Sequence, residues 1–277
     1  MTAALKEASR KKTFVVMAVI AALFLILWGI LLHFALNMRV PTGMRGLADY
    51  LMTQMGLQFA SMLLVLLTIM LSAGAVSSEL ETGLMHGILS RPLRRAEYML
   101  GKLLGLTLIT AASATVFYTL LLVIGAVNGL STVVSLTAGQ ALGGMLLFMT
   151  APFAALCLTL WGSVYFKTVP NGILMIFIYI LGQIGGMVEM VGQLLNNRPI
   201  SSAGIFLSLI SPFHMLYITC QNFLLPSADI TRNAARMAGG LAGSGAPPSV
   251  WMYTWTAAYT AGFVLLSLRG FSNKDVT

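Results

Sequence analysis

The chain has 277 residues, of which 58% are hydrophobic and only 9% charged, whereas soluble domains carry about 25% charged residues. So few charges cannot cover a water-facing surface, which excludes a soluble enzyme, a disordered chain and a nucleic-acid binder. The mean hydropathy of +0.88 and the formal charge of +8 describe a chain that sits in lipid. There, a basic excess reports orientation and contact with anionic head groups.

A helix needs about 20 apolar residues to cross the hydrocarbon. Six runs meet this: 14–36, 57–76, 98–127, 141–166, 173–191 and 250–268. None carries Lys or Arg well inside it. Lys6, Arg10, Lys11 and Lys12 precede the first run as in a signal peptide. That run, however, exceeds the about 7–15 residues of a signal h-region and no A-x-A site follows, so it reads as a retained first span with its N-terminus in the cytoplasm. With six spans, 11 of the basic residues fall inside (Lys6, Arg10, Lys11, Lys12, Arg91, Arg94, Arg95, Lys102, Lys167, Arg269, Lys274). Five fall outside (Arg39, Arg45, Arg198, Arg232, Arg236), in accord with the positive-inside rule.

The segment 204–225 is also long and apolar, but it carries Pro212, His214, Gln221 and Asn222. A seventh crossing leaves the charge count unchanged, so charge does not decide. The polar groups and the proline favour a re-entrant or interfacial helix pair covered by protein. The expected organisation is therefore all-α and integral to the membrane. It comprises a basic segment over 1–12, a six-span domain over 13–270 and a tail over 271–277. A short helix over 78–90 lies between spans two and three, and an external, re-entrant region covers 192–249.

The loop after span two is the most informative stretch. Ser78-x-x-Glu81 is a capping-box pattern that starts a helix. Leu80, Leu84 and Ile88 follow at four-residue spacing with Met85 and Leu89 beside them, an apolar stripe. Pro92 forces the preceding residue out of helical geometry and ends the helix near Ser90. Glu79 and Glu81 at the start, and Arg91, Arg94 and Arg95 past the end, complement the helix dipole. A helix of about three turns is not stable alone. Its stripe must be covered, either by the bilayer surface or by a cytoplasmic protein. Gly101-Lys102 is followed by Leu103 and lacks the earlier glycine, so it is not a phosphate-binding loop.

Glu79-x-Glu81-x-Gly83, then Leu89-Ser90-Arg91-Pro92-Leu93-Arg94-Arg95, then Tyr98-Met99-Leu100-Gly101-Lys102-Leu103 resembles the membrane subunits of type-2 ATP-binding-cassette exporters. The resemblance is dense over 77–102 and loose elsewhere. Leu84, where threonine is common, and the spacing of Gly83 from Glu79 depart from the family pattern. The resemblance implies a permease without catalytic chemistry of its own, in a bacterial or archaeal cytoplasmic membrane with both termini inside. It implies two copies of a separate ATPase subunit, which bind ATP and Mg, and a second permease, with a homodimer expected. This chain itself binds no cofactor, metal or nucleic acid. The loop helix would be the coupling helix, with Glu79, Leu80, Glu81, Gly83, Leu84, Gly87, Ile88, Arg91, Pro92, Arg94 and Arg95 as its contact set. The basic segment over 1–12 would be the family's cytoplasmic interfacial helix, and Ser211-Pro212-Phe213-His214 would belong to the external re-entrant element.

Four further residues are candidates for a substrate path or gate. Pro152 lies mid-span and should kink the fourth helix. Pro212 and His214 interrupt an apolar segment. Glu189 is an acid at the outer end of span five, and intramembrane acids are functional by default. The patterns Gly101-x-x-x-Gly105, Gly139-x-x-x-Gly143 and Gly182-x-x-x-Gly186 read as helix-packing seams. Cys157 and Cys220 read as packing residues, and His33, His86 and His214 have no ligand spacing. Two other classes compete with the permease: an intramembrane transferase, for which no catalytic cluster appears inside the spans, and a non-transporting scaffold that recruits a partner through the loop.

Overall fold

The computed structural model describes residues 12–37, 45–81, 95–224 and 250–272. Among them the chain is helical, with no strand. We number the helices α1 (Lys12–Asn37), α2 (Arg45–Ala73), α3 (Ser77–Glu81), α4 (Arg95–Val127), α5 (Ser131–Val134), α6 (Ala138–Tyr165), α7 (Thr168–Leu194), α8 (Arg198–Ile210), α9 (Phe213–Leu224) and α10 (Val250–Ser272).

Five helical stretches are long and apolar enough to cross a membrane: Val19–Asn37, Ala48–Glu81, Ala96–Val127, Ala138–Tyr165 and Thr168–Gln193. The expected sixth span falls on α10, a 23-residue helix about 34 Å long. Its first half is diluted by Trp251, Tyr253, Thr254 and Trp255, and the two tryptophans are exposed, as suits residues at a membrane–water boundary.

Second-span helicity begins at Arg45, a dozen residues before the expected start at 57. Several polar groups there are bonded within the protein. Asp49 accepts hydrogen bonds from Ser131 N (3.1 Å) and Ser131 Oγ (2.5 Å). The Thr53 and Thr132 hydroxyls lie 2.6 Å apart, and Tyr217 donates its phenol to the Gln54 carbonyl at 3.0 Å. Asp49 is 8% exposed, a buried acid in a segment that the sequence left outside the span. Gly129, at φ 78°, turns the chain from α4 into α5, a conformation that suits glycine.

α6 is the central mast and touches α2, α4, α7, α9 and α10. Ala151, Ala154, Ala155, Gly162 and Ser163 are all buried on it, and small side chains let neighbouring helices approach closely. Thr137 and Gln140 form a capping box at its start.

Contacts fix the direction of each pass. The turn after α2, the start of α4, the α6–α7 turn and the end of α10 meet at one end, called here the junction side. Trp28 and Leu32 of α1 pack with Leu130 and Val133, so α1 runs away from that side. The pair α8–α9 bends by 98°. It leaves α7 at the far end, reaches Gly182 with Ser211, and returns to Gly143 and Gly144 with Phe223 and Leu224.

Candidate functional site

α2 ends at Ala73 and the chain turns through Gly74–Val76 into α3. This turn is held from several directions. Asn171 of α7, fully buried, donates its amide to Ala73 O at 2.9 Å and to Thr159 O at 3.1 Å. One side chain thus ties α7 to α2 and α6. A Cβ on Gly162 would lie 2.2 Å from Asn171 Oδ1, so the glycine provides the space for the amide. The Ser77 hydroxyl lies 2.9 Å from that of Thr168, and the Ser78 hydroxyl donates back to Gly74 O.

The two acids of α3 face different helices. Glu79, nearly buried, accepts from the Lys102 ammonium and from the Tyr98 phenol, both on α4. Lys102 Nζ also donates to Tyr98 Oη at 3.2 Å and sits 5.5 Å from the Tyr98 ring centroid. A charge taken out of water is tolerated when it is paired and its remaining lone pairs are bonded. The phenol and the ammonium together meet that requirement. The Tyr98 ring stacks on Phe271 of α10, with centroids 5.5 Å apart, which brings the last helix into the same cluster. Glu81 Oε1 accepts from Thr168 N at 3.3 Å, placing a carboxylate at the start of α7, where the helix dipole favours it. The sequence assigned both acids to the start of the loop helix. They lie there, and they also join that helix to α4 and α7. Ser78, expected as the cap, lies inside a helix that begins at Ser77. Leu80 packs on a core of Met99, Leu103, Leu156 and Leu160.

Of the expected contact set, Glu79, Leu80 and Glu81 therefore belong to this junction. Gly83, Leu84, Gly87, Ile88, Arg91, Pro92 and Arg94 lie outside the described residues, as does the side chain of Arg95. The interfacial helix expected over 1–12 also lies outside them, except for Lys12 at the start of α1.

The second candidate group sits elsewhere. Glu189, Pro212 and His214 all belong to the α7–α8–α9 assembly. A Cβ on Gly186 would collide with the His214 ring at 2.0 Å, and one on Gly204 would meet the Glu189 backbone nitrogen at 2.3 Å. Glu189 accepts from Gln193 at 3.3 Å, and Pro212 is buried at the bend. Pro152 is buried in α6. Its neighbours Ala151 and Ala154 share a core with Tyr179 and Phe213, so it stands beside this assembly rather than beside the junction.

Residues outside the expected contact set complete the junction: Tyr98, Lys102, Thr168 and Asn171. Tyr98 and Lys102 stand four apart in the recognisable motif, a spacing that puts them on one helix face. Asn171 is a lone amide at the edge of an apolar run, and nothing local distinguishes it from a surface polar residue.

No curated protein matches the chain. The family model described as ABC-2 family transporter protein matches residues 45–276, a range that holds the junction, the bent pair and every described helix except α1. The chain belongs to the ABC-2 transporter family, as a multi-pass transmembrane permease subunit of an ABC transporter.

Proposed function

We propose that this permease is an exporter subunit, driven by an ATPase on a separate polypeptide that seats the coupling helix expected over 78–90. Two permeases and two ATPases make the working unit, and the chain performs no chemistry itself. The observation that carries this reading is the junction. The start of the loop is bonded through Glu79 to α4 and through Glu81 to α7, while Asn171 binds the end of α2. A push on the loop is then delivered to three long helices at once instead of being absorbed by a slack connection. ATP must bind the two transporter states unequally for such a push to shift their populations.

In this reading the junction side is cytoplasmic, α10 is the sixth crossing, and α8–α9 is a re-entrant element opening outward. The cargo path runs beside that element, with Glu189, Pro152, Pro212 and His214 as its candidate gate. The coupling helix is the one expected over 78–90, and Arg91, Arg94 and Arg95 pair with partner acids or lipid phosphate.

The decisive experiment is co-purification with turnover. The detergent-extracted chain is expected to bring down an ATPase subunit, and Leu84→Glu with Ile88→Glu is expected to release it. Retention of a fully active complex by that double variant would end the coupling reading. Cysteine labelling tests the orientation. Asn196→Cys, in the exposed α7–α8 turn, should react from outside, and Lys167→Cys, in the exposed α6–α7 turn, only from inside. The native Cys157 and Cys220 are buried, so they add little background.

A further inference from the structure

Of the five stretches that qualify as spans, α1 is the most lightly packed: 17% of its apolar window is buried, against 56% for α2. Two adjoining cavities, of about 370 and 620 Å³, lie along it and share Ala22, Leu25 and Leu120. Together they form one groove between α1 and α4. Its deep end is closed by Leu64 and Thr68 of α2 and by Phe117 of α4. Its other end reaches His33 and Asn128, where α1 and α4 both finish. His33 is joined there to Asn37 at 3.2 Å. Exposed Ile26, Ile30 and Val123 form its open rim.

The groove is apolar over most of its lining, with the hydroxyl residues Thr68, Thr110 and Ser113 toward one end and the amide and imidazole of Asn128 and His33 at the other, its mouth. Along α4 it runs from Thr110 to Asn128, about 27 Å at helical rise. That exceeds half of a hydrocarbon core about 30 Å thick. An occupant entering at the mouth would need a polar head and a flexible apolar chain long enough to pass the midplane when extended. A second copy of the protein would have to bring a narrow ridge of matching length and polarity, whereas a lipid tail conforms to the slot.

We propose that this groove holds one bilayer phospholipid from the far-side leaflet. Its head group lies at His33 and Asn128, and one extended acyl tail runs along Ala22, Leu25 and Leu120. The site completes the packing of α1 and is independent of the ATPase reading.

The test uses the full chain reconstituted with phosphatidylethanolamine and phosphatidylglycerol, then extracted in mild detergent for native mass spectrometry. Wild type is expected to retain one phospholipid per chain. Ala22→Phe fills the slot and should lower retention roughly tenfold, the consequence of displacing about two methylenes from it. Leu27→Phe, exposed on α1 and outside both cavities, should leave it unchanged. Equal retention by all three proteins overturns the site. A second measurement needs no variant: a phosphatidylcholine with a diazirine in its tail should label peptides holding 22–33 and 112–128 of wild type. Labelling confined to other helices overturns the site, as does an Ala22→Cys disulfide between copies that forms in the intact bilayer.

Discussion

Asn171 Nδ2 donates to Ala73 O at 2.9 Å across 98 residues of sequence, and that bond closes the end of α2 against the start of α7. Its second bond, to Thr159 O, adds α6. Asn171→Ala removes both donors and leaves two carbonyls without that partner, one of them at a helix end. Side-chain bonds between membrane helices contribute about 0.6–2 kcal/mol each. We therefore expect a loss of about 1–3 kcal/mol, read as a lower thermal midpoint in detergent.

Gly162→Ala should produce nearly the same loss by a different route. The new methyl would overlap Asn171 Oδ1 and Met175 Cε, at 2.2 and 2.4 Å, and would expel the amide. Because both changes break one contact, the double variant should cost much less than the sum of the singles. A double-mutant cycle of thermal midpoints measures this coupling. Additive losses would mean that the glycine serves something other than the amide.

Glu79 and Lys102 form a nearly buried pair, at 11% and 14% side-chain exposure. Removing one partner of such a pair strands the other charge, whereas replacing both with apolar groups is often close to neutral. Glu79→Leu alone and Lys102→Met alone should each destabilise by about 3 kcal/mol, and the double variant by less than either. Unfolding midpoints of the three variants decide the matter.

The glycine seams should separate sharply. Gly204→Ala drives a methyl into the Glu189 backbone at 2.3 Å, and Gly192→Ala one into the Ser201 nitrogen at 2.4 Å. Backbone cannot retreat as a side chain can, so each should cost about 1–3 kcal/mol and loosen α8 from α7. Gly101→Ala and Gly139→Ala meet nothing within 4 Å, and an alanine in a helix is favoured over glycine by about 1 kcal/mol. Those two variants should hold or raise the midpoint. Protease sensitivity of the α7–α8 turn gives a second readout.

Much of this protein was readable from local pattern. Apolar runs of membrane length and a charge asymmetry depend only on nearest neighbours and on the solvent, so five of the six expected spans are matched by helices that qualify by length and composition. The sixth fell on α10. The motif over 77–102 likewise pointed to the family that the residue 45–276 match supports. The three Gly-x-x-x-Gly patterns looked equivalent in sequence. Only assembly showed that Gly182 and Gly186 seat Ser211 and His214 while Gly101 faces open space. The same holds for Asp49, Glu81 and Asn171, whose partners lie 82, 87 and 98 residues away. Hydrophobicity is additive along the chain, so it marks where helices run. A polar side chain's role depends on which distant donor or acceptor reaches it after the helices pack, and that was decided by the tertiary structure alone.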